Sequence, residues 1–244
     1  MGKRIISRRR GAGSNVYKSP GHRFKGSSSH VGLEEFMKGG LMQVVDIIND
    51  PSNTAPVMVL LTEAFEKCLQ FAPVGVKVGD LLAFGPEAEA TVGNTLSVSK
   101  IPEGTQIYNI ELVPGDGGKL VKSSGTSAYI VSHDYERQVT VIQLPSKKKR
   151  DVPFACRATI GILAGSGRKE KPYIKAGTRF KDRKAKGKLY PRTSAVAMNA
   201  IDHPFGGSTR PGRATSAKKN APPGQKVGNL APRRTGVRRT KKVA

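Results

Sequence analysis

Charge divides this chain into parts that cannot all fold in the same way. Residues 1–33 carry eight Lys/Arg and no acid, whereas residues 34–116 carry four bases against twelve acids. Residues 117–145 hold three bases and two acids, and residues 146–244 hold 27 bases against four acids. The two ends are thus net +8 and +23 around a middle that is net negative. Basic arms of this density repel themselves unless a polyanion neutralises them, and a nucleic-acid backbone is the commonest polyanion to do so. Gly and Pro, 28 and 16 of the 244 residues, crowd into the basic segments and oppose both helix and central strand there. A packed core is therefore expected only in the middle.

That middle reads as short strands separated by breakers. Runs rich in Val, Ile and Leu lie at Leu41–Ile48, Val57–Leu61, Lys67–Ala72, Asp80–Phe84 and Thr95–Lys100. Others follow at Gln106–Leu112, Ala128–Ser132, Gln138–Leu144, Val152–Ala155 and Ala158–Leu163. Their spacing suggests small barrels or sandwiches. Helical period is weak, with a turn or two possible at Val31–Lys38 and Lys175–Lys186. The turn cluster Val113–Gly118 coincides with the charge change and divides two small β barrels. After about Gly165 the apolar pattern fades, and the tail cannot bury enough surface to offset the entropy of ordering. It is expected to order only on a partner.

Most other classes find no support. No apolar run approaches the roughly 18 residues of a membrane span, and no signal-peptide stretch opens the chain. Ile6 stands where a myristoylation start needs Ser or Thr. The chain reads as soluble and intracellular. Cys68 and Cys156 are far apart, with no ligand-spaced Cys or His, so no metal site is expected. Gly115-Asp116-Gly117-Gly118-Lys119 lacks both ends of a Walker A motif, leaving a flexible turn or a place where backbone approaches an RNA phosphate. Asp202-His203 is the nearest acid/base pair, but no nucleophile is placed beside it. Lys147-Lys148-Lys149-Arg150 fits either a nuclear-localisation run or a hairpin tip on phosphate.

Four ordered motifs carry a resemblance. Pro114–Lys119, Cys156–Gly161, Met198-Asn199-Ala200-Ile201-Asp202-His203-Pro204-Phe205-Gly206-Gly207 and Asn220–Gly228 together resemble the universal large-subunit ribosomal protein L-two family. Phe205 after Pro204 is similar to the archaeal or eukaryotic cytosolic branch. The resemblance runs from the Arg8-Arg9-Arg10-Gly11 arm to Arg233-Arg234-Thr235-Gly236. The chain departs from the family pattern at Ser194-Ala195, at Lys147-Lys148 and after Gly207.

The resemblance implies an all-β fold, an OB-like barrel followed by an SH3-like barrel, with long basic irregular extensions. The expected division is an extension over 1–35, barrels over 36–113 and 114–190, and an extension over 191–244. It also implies a cytoplasmic structural constituent of the large ribosomal subunit, a primary rRNA binder. Such a protein supports subunit association, tRNA binding and the peptidyl-transfer region. Its partners would be large-subunit rRNA, neighbouring ribosomal proteins and the small subunit. No membrane, no small-molecule substrate and no cofactor beyond rRNA-bound Mg2+ are expected.

The residues expected on rRNA are Arg8, Arg9, Arg10, Lys18, Arg23, Lys25, Lys119, Arg157, Arg168, Lys175, Arg179, Lys186, Arg192, Asn199, His203, Arg210, Arg233 and Arg234. Arg forms bidentate phosphate contacts and stacks on bases, which favours Arg157, Arg168, Arg179 and Arg192. Glycines 11, 13, 165, 167, 206 and 207 are read as places where backbone and RNA come close. The acidic first barrel is expected to face solvent or a basic protein. Two other classes stand beside this reading: a free regulatory nucleic-acid binder, and an enzyme with His203 as general base.

Overall fold

A computed structural model describes residues 2–207 and 216–235. The chain separates into two compact units, one formed by residues 21–173 and the other by residues 1–20 with 174–244. The first unit holds the β structure. Strands β1 (Gly40–Ile48), β2 (Val57–Thr62) and β3 (Lys67–Phe71) form an antiparallel meander, and β4 (Leu81–Phe84) pairs with the other edge of β1. Next come β5 (Thr95–Ser97), β6 (Gln106–Tyr108), β7 (Ala128–Asp134), β8 (Val139–Gln143), β9 (Lys149–Pro153) and β10 (Arg157–Ile160). Strand β10 returns to lie between β5 and β6, giving the order β3-β2-β1-β4-β5-β10-β6-β7-β8-β9. Bulges at Val44/Asp46 and Ile130/Ser132 add the local twist that curls such strands. The fold is the OB-like barrel followed by an SH3-like barrel.

Strand ends are set by backbone chemistry that hydropathy does not report. β6 stops at Tyr108 because Asn109 takes a left-handed conformation, φ 49°, after which Ile110 bridges to Leu120. The run at Thr95–Lys100 becomes a strand followed by a 3-10 turn over Val98–Lys100. The basic run after Leu144 forms a hairpin tip: Lys147 has φ 62°, and Lys149 and Arg150 begin β9. Helix α1 (Leu33–Lys38) carries Glu34 and Glu35 in its first turn and Lys38 in its last, which suits the helix dipole. Gly39 at φ 71° ends it, and its amide donates to the carbonyls of Glu35 and Phe36.

Three apolar clusters fill the unit. Phe36, Met42, Val44, Met58, Leu60, Leu82 and Phe84 belong to the first; Leu96, Ile107, Ile130, Ile142, Cys156 and Ile160 belong to the second; Ala55, Val57, Phe71, Tyr108 and Leu163 form the third. Residues 96–110 therefore pack with 128–160, and a division drawn at 113/114 passes through the second cluster. Burial raises both thiols, Cys68 to about 11 and Cys156 to about 12, and neither is disulfide-bonded.

Arg157 sits at the joint of the first two clusters. Its guanidinium donates through Nε and Nη2 to Glu111 Oε1, at 3.1 and 2.6 Å, and through Nη1 to the Val31 carbonyl at 2.7 Å. It also lies 5.1 Å from the Phe36 ring centroid. The two side chains are 2% and 0% exposed. Glu111 additionally accepts from the amides of Arg157, Gly115 and Gly117. Burial alone pushes the Glu111 carboxyl pKa up; these hydrogen bonds and the Arg157 charge outweigh it, and the net direction is down. Beside the pair, His30 Nε2 donates to the Asn109 carbonyl at 2.6 Å. Burial is the main cause that lowers His30 to about 4.

The second unit contrasts sharply. Its helix α2 (Ala176–Ala185) has no buried residue, and β11 (Ser216–Ala217) and β12 (Asn229–Leu230) form only a two-stranded parallel pair. Among the described residues of this unit, Ile5 and Ala217 alone are buried.

Two outcomes follow for unit 21–173. Removing one member of a buried pair strands the other, so Glu111→Ala should cost about 3–5 kcal/mol, read from the urea midpoint. Glu111→Leu with Arg157→Met should recover only part, because the Gly115 and Gly117 amides still lose their acceptor. Between pH 6.5 and about 4 the unfolded chain binds a proton at His30 that the folded one does not. Stability should therefore fall through that window by roughly 3 kcal/mol at most, and His30→Gln should flatten the slope.

Candidate nucleic-acid interface

The division into units also separates the charge, at boundaries other than those of the sequence segments. Residues 1–20 and 174–244 carry 25 Lys/Arg and two acids, net +23; residues 21–173 carry 17 and 16, net +1. Almost the whole excess charge lies on the unit that has only Ile5 and Ala217 buried among its described residues.

In that unit, Arg8, Arg9 and Arg10 stand exposed on a 3-10 turn, Ile6–Ala12. Arg8 donates to the Pro223 carbonyl, Arg9 to the Arg4 carbonyl, and Arg10 lies 5.7 Å from the Tyr17 ring centroid. Lys18 is exposed where the arm passes the end of α2; a Cβ on Gly187 would lie 2.7 Å from its carbonyl oxygen. Lys175, Arg179 and Lys186 lie on or beside α2, exposed, with Lys186 paired to Asp182. Helix α2 buries none of its residues and carries four Lys/Arg, which suits it to lie against a polyanionic partner. Arg192, Arg233 and Arg234 are also exposed.

Asn199 and His203 belong to a closed loop. The Asn199 carbonyl accepts from the amides of Asp202 and His203, and the Met198 carbonyl accepts from Gly207. A side chain on Gly206 would collide with the carbonyl oxygens of Met198 and Asn199, and Gly207 has φ 81°. These two glycines serve loop closure, which replaces the expected reason of RNA approach. Gly165 faces Ser124, while Gly11, Gly13 and Gly167 open onto free space. His203 Nδ1 accepts from the Phe205 amide at 3.1 Å, and its ring meets Phe205 edge-on. Asp202 pairs with Lys3 at 3.5 Å. The adjacent acid and imidazole thus have separate partners.

Arg23, Lys25, Lys119 and Arg168 lie in unit 21–173 and are exposed. Arg157 requires correction: it is a core residue whose guanidinium is committed to Glu111, Val31 and Phe36 and cannot reach RNA. The 115–118 loop also turns its amides inward, to Glu111 and Asp116. Gly118 has φ 92°, and a Cβ there would strike Asn109. No phosphate cradle remains. Arg210 lies outside the described residues. Among the described residues no cluster of three metal-ligating side chains occurs, and no helix is long and apolar enough to cross a membrane.

Sequence reasoning missed a basic cavity of about 610 Å3 in the charged unit, where Arg10, Arg179 and Arg192 are joined by Arg183, Lys188 and two tyrosines. The four-residue spacing of Arg179 and Arg183 on a helix was the available signal.

The model of the ribosomal proteins L2 C-terminal domain matches residues 91–226. This chain belongs to the ribosomal protein L2 family. It is 49% identical to the large ribosomal subunit protein uL2 of Methanocaldococcus jannaschii, over 98% of this chain and all of that one. It is 48% identical to the uL2 of Methanothermobacter thermautotrophicus over the same shares, and 45% identical to that of Natronomonas pharaonis over 97% of each chain. The L2 family resemblance is of the archaeal type.

Gly206→Ala should open the loop. With the chain bound to large-subunit rRNA, hydrogen exchange at the amides of Gly206 and Gly207 should accelerate, while strands in unit 21–173 keep their protection.

Proposed function

We propose that this L2-family chain is a primary rRNA-binding structural component of the large ribosomal subunit in the cytoplasm. One observation carries the reading: net +23 resides on a unit with two buried apolar residues among those described, and net +1 on the barrels. Such a unit gains stability by neutralising phosphates, not by burying apolar surface. Each phosphate neutralised releases counterions and contributes roughly −0.7 to −0.9 to the log–log salt slope. Recognition then rests on RNA shape and on single-stranded features.

The first barrel fits a different neighbour. Met37, Leu41 and Leu81 are exposed there among Glu34, Glu35, Glu63 and Asp80. An acidic, partly apolar face repels phosphate and suits a basic ribosomal protein. Held by rRNA and protein together, the chain supports subunit association, tRNA binding and the peptidyl-transfer region as a scaffold. In this reading the chemistry belongs to the RNA and the chain is its scaffold; Asp202 and His203 hold the loop through Lys3 and the Phe205 amide.

Sedimentation of the tagged protein through a high-salt wash tests this reading. Retention on the large subunit is the expected outcome. Recovery mainly at the top of the gradient would contradict it and favour a free regulatory binder. With isolated rRNA, Arg8→Ala with Arg9→Ala should reduce the salt slope by roughly 1.4–1.8.

A further inference from the structure

The cavity in the charged unit has a composition that phosphate binding alone does not explain. Its volume, about 610 Å3, is in the range of small-ligand sites. Arg10, Arg179, Arg183 and Arg192 line it with no carboxylate, and so do Tyr17 and Tyr190. Each ring already has a guanidinium beside it: Arg10 Cζ is 5.7 Å from the Tyr17 centroid, and Arg179 Cζ is 5.3 Å from that of Tyr190. Both tyrosines are half-buried, so their rings are held against the wall.

The wall is built from two stretches far apart in the chain, residues 6–17 and residues 179–192. The 3-10 turn supplies Arg10, α2 supplies Arg179 and Arg183 one turn apart on one face, and the following stretch supplies Tyr190 and Arg192. Gly187, at φ 61° with the Lys18 carbonyl against it, brings the arm and the helix end together. A duplex backbone presents phosphates but no π-face. A ligand that uses both the rings and the guanidinium groups must combine a flat aromatic surface with negative charge, and a nucleotide has both.

We propose that this cavity receives a single unpaired nucleotide of the bound RNA, its base stacked on Tyr190 or Tyr17 and its phosphates held by Arg183 and Arg192. The proposal rests on the rRNA-binding reading above and adds a base-recognition point to a surface otherwise specified by charge. Stacking tolerates every base, so the site selects an extruded nucleotide by its shape.

Ultraviolet cross-linking of the full-length chain on its large-subunit rRNA tests this without altering the protein. Mass spectrometry should find a nucleotide adduct on the peptide bearing Tyr17 or Tyr190; adducts confined to other peptides would overturn the proposal. In binding assays Tyr190→Ala with Tyr17→Ala should weaken affinity by about 5- to 150-fold while leaving the salt slope unchanged. Arg183→Ala should instead reduce the slope by roughly 0.7–0.9. Tyr190→Phe should keep wild-type affinity, because the ring and not the hydroxyl does the stacking. The same chemistry exists in a free mononucleotide, so adenosine and uridine monophosphates are titrated separately. Millimolar or weaker binding is expected, and micromolar binding would transfer the cavity to a soluble ligand and overturn the RNA source. A wild-type chain that fails to bind the rRNA at all would refute the functional reading itself, a result distinct from intact binding without a tyrosine adduct.

Discussion

The Glu111–Arg157 pair is the point on which the barrel unit depends. Five donors from Arg157, Gly115 and Gly117 converge on one carboxylate, and the guanidinium reaches on to Val31 and covers Phe36. Buried pairs of this kind add little net stability over an apolar replacement, because desolvation offsets most of the Coulomb attraction. The arrangement of β10, the 111–118 loop and the segment before α1 satisfies all of these groups at once, and separating those segments strands a charge.

With that unit closed on itself at nearly zero net charge, the rest of the chain can be almost wholly cationic. Twenty-five Lys/Arg on residues 1–20 and 174–244 would oppose compaction if they had to share a core. They share very little core. The unit is organised by local turns, by a helix with no buried residue and by the closed loop before Gly207. On the rRNA-binding reading proposed above, its free-energy minimum is defined with a polyanion present, and the like charges that oppose compaction alone are the ones that polyanion neutralises.

The strands were legible because alternating Val, Ile and Leu sit between Gly and Pro breakers, and α1 and α2 fell within the segments expected to turn. What escaped was set by distance along the chain. Arg157 looked like an RNA contact because Arg usually is one in a basic protein; its acid lies 46 residues away. Arg157-Ala158-Thr159-Ile160 alternates polar and apolar as a half-exposed strand does, yet all four residues of β10 are buried, so the pattern pointed Arg157 outward. Gly206 and Gly207 were read correctly as close approaches, but to the carbonyls and Ala200 of their own loop. Tyr17 and Tyr190 reach one cavity across 173 positions, and nothing local in the sequence reports that.

The central claim is that one unit folds on its own core and the other on RNA phosphate. Amide hydrogen exchange across the whole chain, free and bound to large-subunit rRNA, tests it most directly. The account predicts slow exchange over β1–β10 in both states, and slow exchange over residues 2–20, 174–207 and 216–235 only in the complex. Equal protection of those segments without RNA would contradict it.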